Sequence, residues 1–162
     1  MPYIHHYQSP IGLLKISAEE DYITGLSLCT EKMPNTAKMQ ESEVACTPLL
    51  QKTCKQLTEY FAGERTGFTL PIKYPFGTPF QHSVWNALRN IPYGETRSYE
   101  DIAVAIGNPK AVRAIGQANH NNPILLLVPC HRVINKNGTI GSFGCGVEVK
   151  KQLLQLEGLE IK

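Results

Sequence analysis

The sequence predicts a mixed α/β (α+β) fold with two domains, residues 1–78 and 79–162. Short segments rich in β-forming residues open the chain, whereas the second half shows apolar residues at helical spacing behind N-cap residues. Proline and glycine in residues 73–77 are typical of a linker. We therefore expect a small antiparallel sheet with one helix, followed by a mainly helical domain.

The first domain is predicted to begin with a three-stranded meander, because turn-like segments separate three β-rich stretches. These stretches are residues 3–9, 13–18 and 22–28. Residues 31–46 are polar without clear periodicity and predict a loop. Thr47 followed by Pro48 predicts the start of a helix, and Gly63 predicts its end. Residues 68–72 predict an edge strand, because the proline within them excludes a central position.

The second domain is predicted to begin with a helix from Pro79 to about Asn90, which Thr78 can cap. Ser98 and Asp101 then fit a capping box, in which each side chain satisfies a backbone N–H group of the other residue. This pattern predicts the start of a second helix.

A tight turn separates that helix from a third one, which Asn108 and Pro109 are predicted to cap. Two short helices joined so closely are typical of a helix-turn-helix, whose second helix often enters a DNA groove. Cationic, polar and small residues that can approach a phosphate backbone share one side of the third helix. They are Lys110, Arg113, Ala114 and Gln117. On this stretch alone, an ordinary helical hairpin remains the favoured alternative.

An unbroken apolar run at residues 124–128 predicts a buried strand, which Pro129 ends. An Asn-Gly pair at Gly138 then predicts a hairpin between residues 133–134 and 139–140.

The last helix is predicted to end at Glu157 and Gly158. A carboxylate at a helix C-terminus opposes the helix dipole, so Glu157 needs a compensating partner such as a histidine. A plain surface glutamate is the alternative.

Cys130 and His131 are the one place where a potential nucleophile and a potential base are adjacent. A thiol at the end of a buried segment can be shielded from water, and a nearby imidazole can remove its proton. Taken alone, the pair fits a structural cysteine beside a surface histidine better than a reactive site.

Composition indicates an ordinary globular protein, with 42% hydrophobic and 19% charged residues. No apolar run is long enough to cross a bilayer, and the N-terminus shows no signal-peptide pattern. Five cysteines without a C-x-x-C pair favour reduced thiols and a cytoplasmic protein. Residues 1–78 hold seven Lys and Arg against eight Asp and Glu, a charge of −1, whereas residues 79–162 hold nine against six, +3. The basic excess therefore lies in the half that contains Cys130.

Four motifs together make the chain resemble the O6-alkylguanine-DNA alkyltransferases, which repair alkylated bases by taking the alkyl group onto a cysteine. They are Pro-Cys-His-Arg-Val at residues 129–133, Asn-Pro at 122–123, Arg-Ala-Ile-Gly at 113–116 and Glu-Gly at 157–158. The resemblance is strong from Phe80 to Gly158 and rests mainly on the order of elements before that. It implies a ribonuclease H-like N-terminal domain and a winged helix-turn-helix in the C-terminal domain.

The resemblance implies that Cys130 is the alkyl acceptor in a transfer that happens once per molecule. His131 would remove the thiol proton through a water molecule, and Glu157 would orient His131. Asn122 would brace the turn that holds the cysteine. Tyr99 would hydrogen-bond the flipped base, which is O6-methylguanine, with O4-methylthymine open as a second substrate.

The resemblance also implies that Arg113 fills the gap that the flipped nucleotide leaves in double-stranded DNA. Ala114, Gln117 and Lys110 would contact the DNA beside it. The base pocket would be lined by the main chain of Cys130 and by Val133, Phe143 and Gly144. The expected partner is double-stranded DNA, which the protein would bind as a monomer. No association with a membrane is expected.

Two further expectations concern absent features. Many relatives place a serine where this chain has Gly144, so a hydroxyl contact to the base is expected to be missing. Some relatives bind zinc in the first domain, but His5, His6 and Cys29 do not reproduce that ligand set, so we expect no metal and no cofactor.

Two other functions remain open. A sensor of alkylated DNA without catalysis would normally lack the cysteine, so Cys130 disfavours it. A cysteine hydrolase could use Cys130 and His131, but adjacent placement of thiol and imidazole is unusual for that mechanism.

Overall fold

The computed structural model describes residues 3–29, 47–141, 143 and 146–159. The chain divides into two compact units, Met1–Pro75 and Phe76–Lys162. A small sheet with a helix in the first unit and mainly helices in the second confirm the predicted mixed α/β class. The predicted loop at residues 31–46 lies outside the described residues.

Three antiparallel strands form the sheet of the first unit and confirm the predicted meander. They are β1 (Tyr3–Ser9), β2 (Gly12–Ala18) and β3 (Ile23–Leu28). Leu14, Ile16 and Ala18 alternate along β2 and are fully buried, because successive side chains of a strand point to opposite faces. This alternation gives the sheet one core face.

The helix of the first unit, α1 (Pro48–Phe61), begins where the sequence predicts. The hydroxyl oxygen of Thr47 accepts a hydrogen bond from the Leu50 N–H group at 3.2 Å, which satisfies one free donor of the first turn. Leu50 and Leu57 are buried, so the helix turns an apolar face to the core of the unit.

Residues 68–72 do not form the predicted edge strand. A single parallel bridge joins Ile72 to Ile23, with hydrogen bonds of 2.9 Å from Ile23 N–H to the Pro71 carbonyl and from Lys73 N–H to the Ile23 carbonyl. Pro71 has no N–H group with which to extend the pairing, so the contact ends at this bridge.

Two capping boxes organise the start of the second unit. The one at Ser98 confirms the prediction, whereas at Thr78 the sequence predicted only an N-cap. Thr78 and Gln81 cap α2 (Pro79–Leu88), and Ser98 and Asp101 cap α3 (Tyr99–Ala105). Trp85 of α2 is completely buried, and its indole N–H group donates a 2.8 Å hydrogen bond to the Ala118 carbonyl. This bond ties α2 to α4 (Val112–His120).

The prediction that Asn108 and Pro109 cap α4 is wrong. Residues 108–111 form a turn closed by a 3.0 Å hydrogen bond from Ala111 N–H to the Asn108 carbonyl, and α4 begins only at Val112, without a side-chain cap. Lys110 therefore lies in the turn before the helix and not on the helical face that carries Arg113.

The apolar run at residues 124–128 is a buried turn and not the predicted strand. Its backbone bonds within itself, since Val128 N–H donates to the Ile124 carbonyl at 3.0 Å. Leu126 has a φ of 69°, in the left-handed region that non-glycine residues rarely adopt. An apolar run does not distinguish a strand from a buried turn by its periodicity.

The predicted hairpin around Gly138 is also wrong in its pairing. A turn is present, with Asn135 N–H donating to the Thr139 carbonyl at 3.0 Å. However, β5 (Val133–Ile134) pairs in parallel with β4 (Arg97–Ser98) and not with residues 139–140. This pairing brings the start of α3 beside the segment that follows Cys130.

The last helix, α5 (Val147–Leu156), ends with Glu157 as its C-cap and Gly158 in the left-handed conformation, as predicted. None of the helices in the described parts of the chain combines the length and the apolar character that crossing a bilayer requires.

Candidate active site around Cys130

Cys130 opens a one-turn 3₁₀ helix, Cys130–Arg132, and only 2% of its surface is exposed. The side chain of Asn122 holds the preceding turn at both ends. Its Nδ2 group donates to the Val128 carbonyl at 2.8 Å, and its Oδ1 atom accepts from Ile124 N–H at 2.9 Å. These two bonds explain how the chain keeps the strained turn that delivers the thiol.

His131 and Glu157 meet in the interior of the second unit. His131 Nε2 lies 2.6 Å from Glu157 Oε2, and both side chains are almost completely buried. Burial lowers the pKa of His131, although the hydrogen bond to Glu157 opposes this effect. His131 is therefore neutral at physiological pH.

The pairing with Glu157 also decides which ring nitrogen of His131 carries the proton. A carboxylate can only accept, so Nε2 must donate, and Nδ1 of the neutral ring is left with a lone pair. Nδ1 is buried and has no hydrogen-bond partner among the described residues. Nδ1 of the neutral ring can therefore accept a proton.

Arg132 is a buried member of the site to which the sequence assigned no role. Its Nε and Nη2 groups donate to the two carboxylate oxygens of Glu157 at 2.8 and 3.0 Å, and Nη1 donates to the Ile91 carbonyl at 2.8 Å. Gly94 N–H adds a 3.2 Å bond to Glu157 Oε1. Glu157 is thus an ionised carboxylate shared by a neutral histidine and an arginine.

Lys150 of α5 is a second buried cation that the sequence did not single out. It is completely buried, and its Nζ group donates to the Val133 carbonyl. Burial lowers its pKa to about 8, while the negative charge of a Cys130 thiolate raises it. The available signal was its spacing, since Lys150 shares the stripe of the buried Leu153 and Leu154.

Asn119 of α4 is a third buried polar residue to which the sequence assigned no role. It is 5% exposed, and its Nδ2 group donates a 3.3 Å hydrogen bond to the Cys130 carbonyl. The helix therefore touches the main chain of the cysteine directly.

An open depression of about 510 Å³ lies against α4. Its lining includes the predicted residues Tyr99, Arg113 and Gln117, together with Val112, Gly116, His120, Asn121 and Asn135. Ala114 is exposed on the same helix, whereas Lys110 stands apart in the preceding turn. The structure thus brings Tyr99 and Arg113 to one surface.

The predicted base-pocket residues lie near Lys150. Val133 is buried and accepts the Lys150 hydrogen bond, and the Phe143 ring centroid is 6.0 Å from Lys150 Nζ. Gly144, which completes that prediction, lies outside the described residues, as does Cys145.

Comparison with known proteins gives matches over both units. The family model described as the 6-O-methylguanine DNA methyltransferase ribonuclease-like domain matches residues 3–74, and the DNA binding domain of the same family matches residues 79–159. Together these two matches span nearly the whole chain.

Individual relatives agree with the family models. The constitutive methylated-DNA–protein-cysteine methyltransferase of Bacillus subtilis (strain 168) is 49% identical, over 100% of this chain and 99% of its own. The corresponding protein of Methanosarcina acetivorans is 44% identical, over 94% and 96%. The crystal structure of Mycobacterium tuberculosis O6-methylguanine methyltransferase superposes with a TM-score of 0.85 at 41% identity, covering 97% and 93%. The chain belongs to the 6-O-methylguanine DNA methyltransferase family.

Proposed function

We propose that this protein repairs DNA by moving the alkyl group of an O6-alkylated guanine onto Cys130. The observation that carries the proposal is the buried thiol beside His131, whose Nε2 atom is fixed on Glu157 at 2.6 Å. The relatives of this protein are named for methyl transfer from methylated DNA to a protein cysteine. A structure of the Mycobacterium tuberculosis OGT protein in complex with DNA, with a TM-score of 0.84 at 40% identity, supports the same partner.

In the proposed reaction, His131 Nδ1 takes the proton of the Cys130 thiol through a water molecule. The thiolate attacks the alkyl carbon, so a sulfur–carbon bond forms while the bond from carbon to guanine O6 breaks. Guanine leaves with the bonding electron pair and takes up one proton, so the thiol proton ends on the base in the overall balance. A hydrogen bond donated by the Tyr99 hydroxyl group stabilises the departing base.

The product is an alkyl thioether on Cys130, which offers no leaving group that would restore the thiol. Each molecule therefore acts once, and the reaction uses no cofactor. Cys29, Cys54 and Cys130 form no disulfide among the described residues, which supports action in a reducing compartment such as the cytoplasm.

We infer that residues 79–162 both bind the DNA and accept the alkyl group, as a monomer on duplex DNA. The helix-turn-helix of α3 and α4 would lie along the groove, with Ala114, Gln117 and Lys110 near the backbone. Arg113 would enter the stack and occupy the space of the extruded nucleotide, because the modified atom is unreachable inside the helix. Val133, Phe143 and Gly144 would line the pocket for the base.

Intact-mass measurement tests the proposal directly. After incubation with a duplex containing O6-methylguanine, we expect the protein to gain the mass of one methyl group, located on the peptide that contains Cys130. The Cys130→Ala variant should gain nothing. Binding to the duplex without any mass gain would overturn the proposal in favour of a sensor of alkylated DNA, and repeated turnover of an ester would favour a hydrolase.

Arg113→Ala should slow the methylation of Cys130 by duplex DNA much more than its methylation by the free base, O6-methylguanine. Extruding a nucleotide costs a few kcal/mol, and only duplex DNA requires it. If Arg113 offsets half of this cost, its loss should lower the rate on duplex DNA about ten- to a hundredfold. Arg89→Ala, which removes an exposed arginine outside the depression, is the matched control. Equal losses on both substrates would contradict this role of Arg113.

A further inference from the structure

The segment between α2 and β4 contacts the buried Arg132–Glu157 ion pair at three points. The Ile91 carbonyl accepts a 2.8 Å hydrogen bond from Arg132 Nη1, and Gly94 N–H donates to Glu157 Oε1 at 3.2 Å. Between these two contacts along the chain, the ring centroid of Tyr93 lies 5.7 Å from Arg132 Cζ. The first two contacts use main-chain atoms, so the contact that a side chain of this segment supplies is the one made by Tyr93.

Tyr93 is anchored over Arg132 by its hydroxyl group, which donates a 3.3 Å hydrogen bond to the Leu156 carbonyl at the end of α5. Tyr93 is half-buried, whereas Arg132 beneath its ring is only 7% exposed. Burial raises the pKa of Tyr93, and the negative charge of Glu157 adds to this effect, so the hydroxyl group remains a donor at physiological pH. A guanidinium group over an aromatic face is attracted to the ring, most strongly where water is excluded.

Arg132 and His131 share one carboxylate oxygen, because Glu157 Oε2 accepts from His131 Nε2 at 2.6 Å and from Arg132 Nη2 at 3.0 Å. Burial lowers the pKa of His131 most, and among the neighbouring charges Glu157 raises it while Arg132 and Lys150 lower it. If Arg132 moved away from Glu157, more of the carboxylate charge would act on His131. Water entering the site would weaken the effect of burial. Both changes favour the protonated ring, which cannot take a proton from Cys130.

We propose that Tyr93 is a positioning residue for the reaction, whose ring holds Arg132 on Glu157 and keeps water from the pair, so that His131 remains available as the base. This inference rests on the proposed function. Tyr93 acts through Arg132 and Glu157 and not on the reacting atoms. Its loss should therefore change the pH range in which Cys130 is alkylated, and not the reaction itself.

The test compares the natural protein with Tyr93→Leu, which removes the ring but keeps an apolar side chain. Single-turnover intact-mass measurements with a saturating duplex that contains O6-methylguanine give the rate of Cys130 methylation as a function of pH. The acid midpoint of this profile should rise by about one pH unit, the size expected if the loss of one cation–π contact is transferred to the pKa of His131. At a pH below both midpoints the variant should react about tenfold more slowly, and well above them almost equally fast. An equal loss of rate at every pH would overturn the inference.

Tyr93→Phe separates the ring from the hydroxyl group. It keeps the aromatic face over Arg132 and loses the hydrogen bond to the Leu156 carbonyl, so its acid midpoint should stay close to that of the natural protein. A phenylalanine variant that shifts as far as the leucine variant would contradict the role of the ring. Tyr22→Leu, at a 44% exposed position of the first unit, is the matched control and should leave the profile unchanged. Tyr93→Met replaces the leucine variant if leucine prevents folding, because methionine adapts to irregular spaces.

Titration of the His131 ring by NMR tests the inference without the reaction. The ring signals are identified by their loss in a His131→Gln variant, and the pKa that they report should rise by the same amount, about one unit, in Tyr93→Leu. An unchanged titration would overturn the inference, while methylation of Cys130 would still support alkyl transfer. If the natural protein is not methylated at any pH, the proposed function is wrong, and the NMR titration still decides whether Tyr93 controls His131.

Discussion

Glu157→Gln is expected to slow the alkylation of Cys130 by about 10²- to 10⁴-fold, the range typical of losing a positioned general base. The glutamine amide group can donate a hydrogen bond where the carboxylate only accepted. If that group faces His131, then Nε2 must accept, and the ring proton moves to Nδ1. Nδ1 then has no lone pair with which to take the thiol proton.

The same substitution is expected to lower the free energy of unfolding by about 3–5 kcal/mol, because it leaves the buried Arg132 without its counter-charge. Urea unfolding measures this loss, and single-turnover mass analysis measures the rate. Glu148→Gln makes the same chemical change at an exposed position of α5. It should alter neither the free energy of unfolding nor the alkylation rate strongly. A Glu157→Gln variant with natural stability and rate would contradict the shared role of the carboxylate.

The pH dependence of the natural protein follows from the neutral state of His131. Its pKa is lowered in the folded protein, so between that lowered value and the ordinary value of 6.5 the unfolded chain binds more protons than the folded one. The contribution of His131 to stability is therefore complete above pH 6.5 and declines as the pH falls below it. Acid should also slow alkyl transfer, since a protonated ring cannot accept the thiol proton.

Local sequence patterns predicted the parts of the site that depend on local chemistry. Thr78 and Ser98 act through neighbours three residues away, so both N-caps and the capping box at Ser98 follow from sequence alone. Glu157 at a helix C-terminus needs a partner for a reason visible in the sequence, and His131 is that partner in the structure. These predictions required no knowledge of distant contacts.

Several of the errors concern contacts between segments that are far apart in the chain. The pairing of Val133–Ile134 with Arg97–Ser98 depends on how the helices pack, and the nearby Asn-Gly pair wrongly favoured a local hairpin. Arg132 and Lys150 were overlooked because arginine and lysine are rarely buried unless paired, and their partners belong to other elements. The hydrogen bond from Asn119 to the Cys130 carbonyl likewise joins two different elements and could not be read from helical spacing.

Lys150→Met is expected to lower the rate of Cys130 alkylation at neutral pH by about tenfold, the factor that corresponds to ~1.4 kcal/mol of lost charge stabilisation. A Cys130 thiolate raises the pKa of Lys150, and the interaction is reciprocal, so the Lys150 ammonium group stabilises the thiolate. The pKa of Lys150 is about 8, so the natural protein loses this cation as the pH rises through 8. The rates of variant and natural protein should therefore converge above that pH.

The free energy of unfolding should change in the opposite direction to the alkylation rate as the pH rises above 8. The folded pKa of about 8 lies below the ordinary value of 10.5, so between these values the unfolded chain binds more protons at Lys150. The unfolding free energy of the natural protein should rise relative to that of Lys150→Met from pH 8 to 10.5, by on the order of 3 kcal/mol in total. Lys151→Met, one residue further along α5 and exposed, controls for the lost charge. A rate ratio and a stability difference that stay constant across pH 7 to 10 would mean that Lys150 neither titrates in this window nor acts on the Cys130 thiolate.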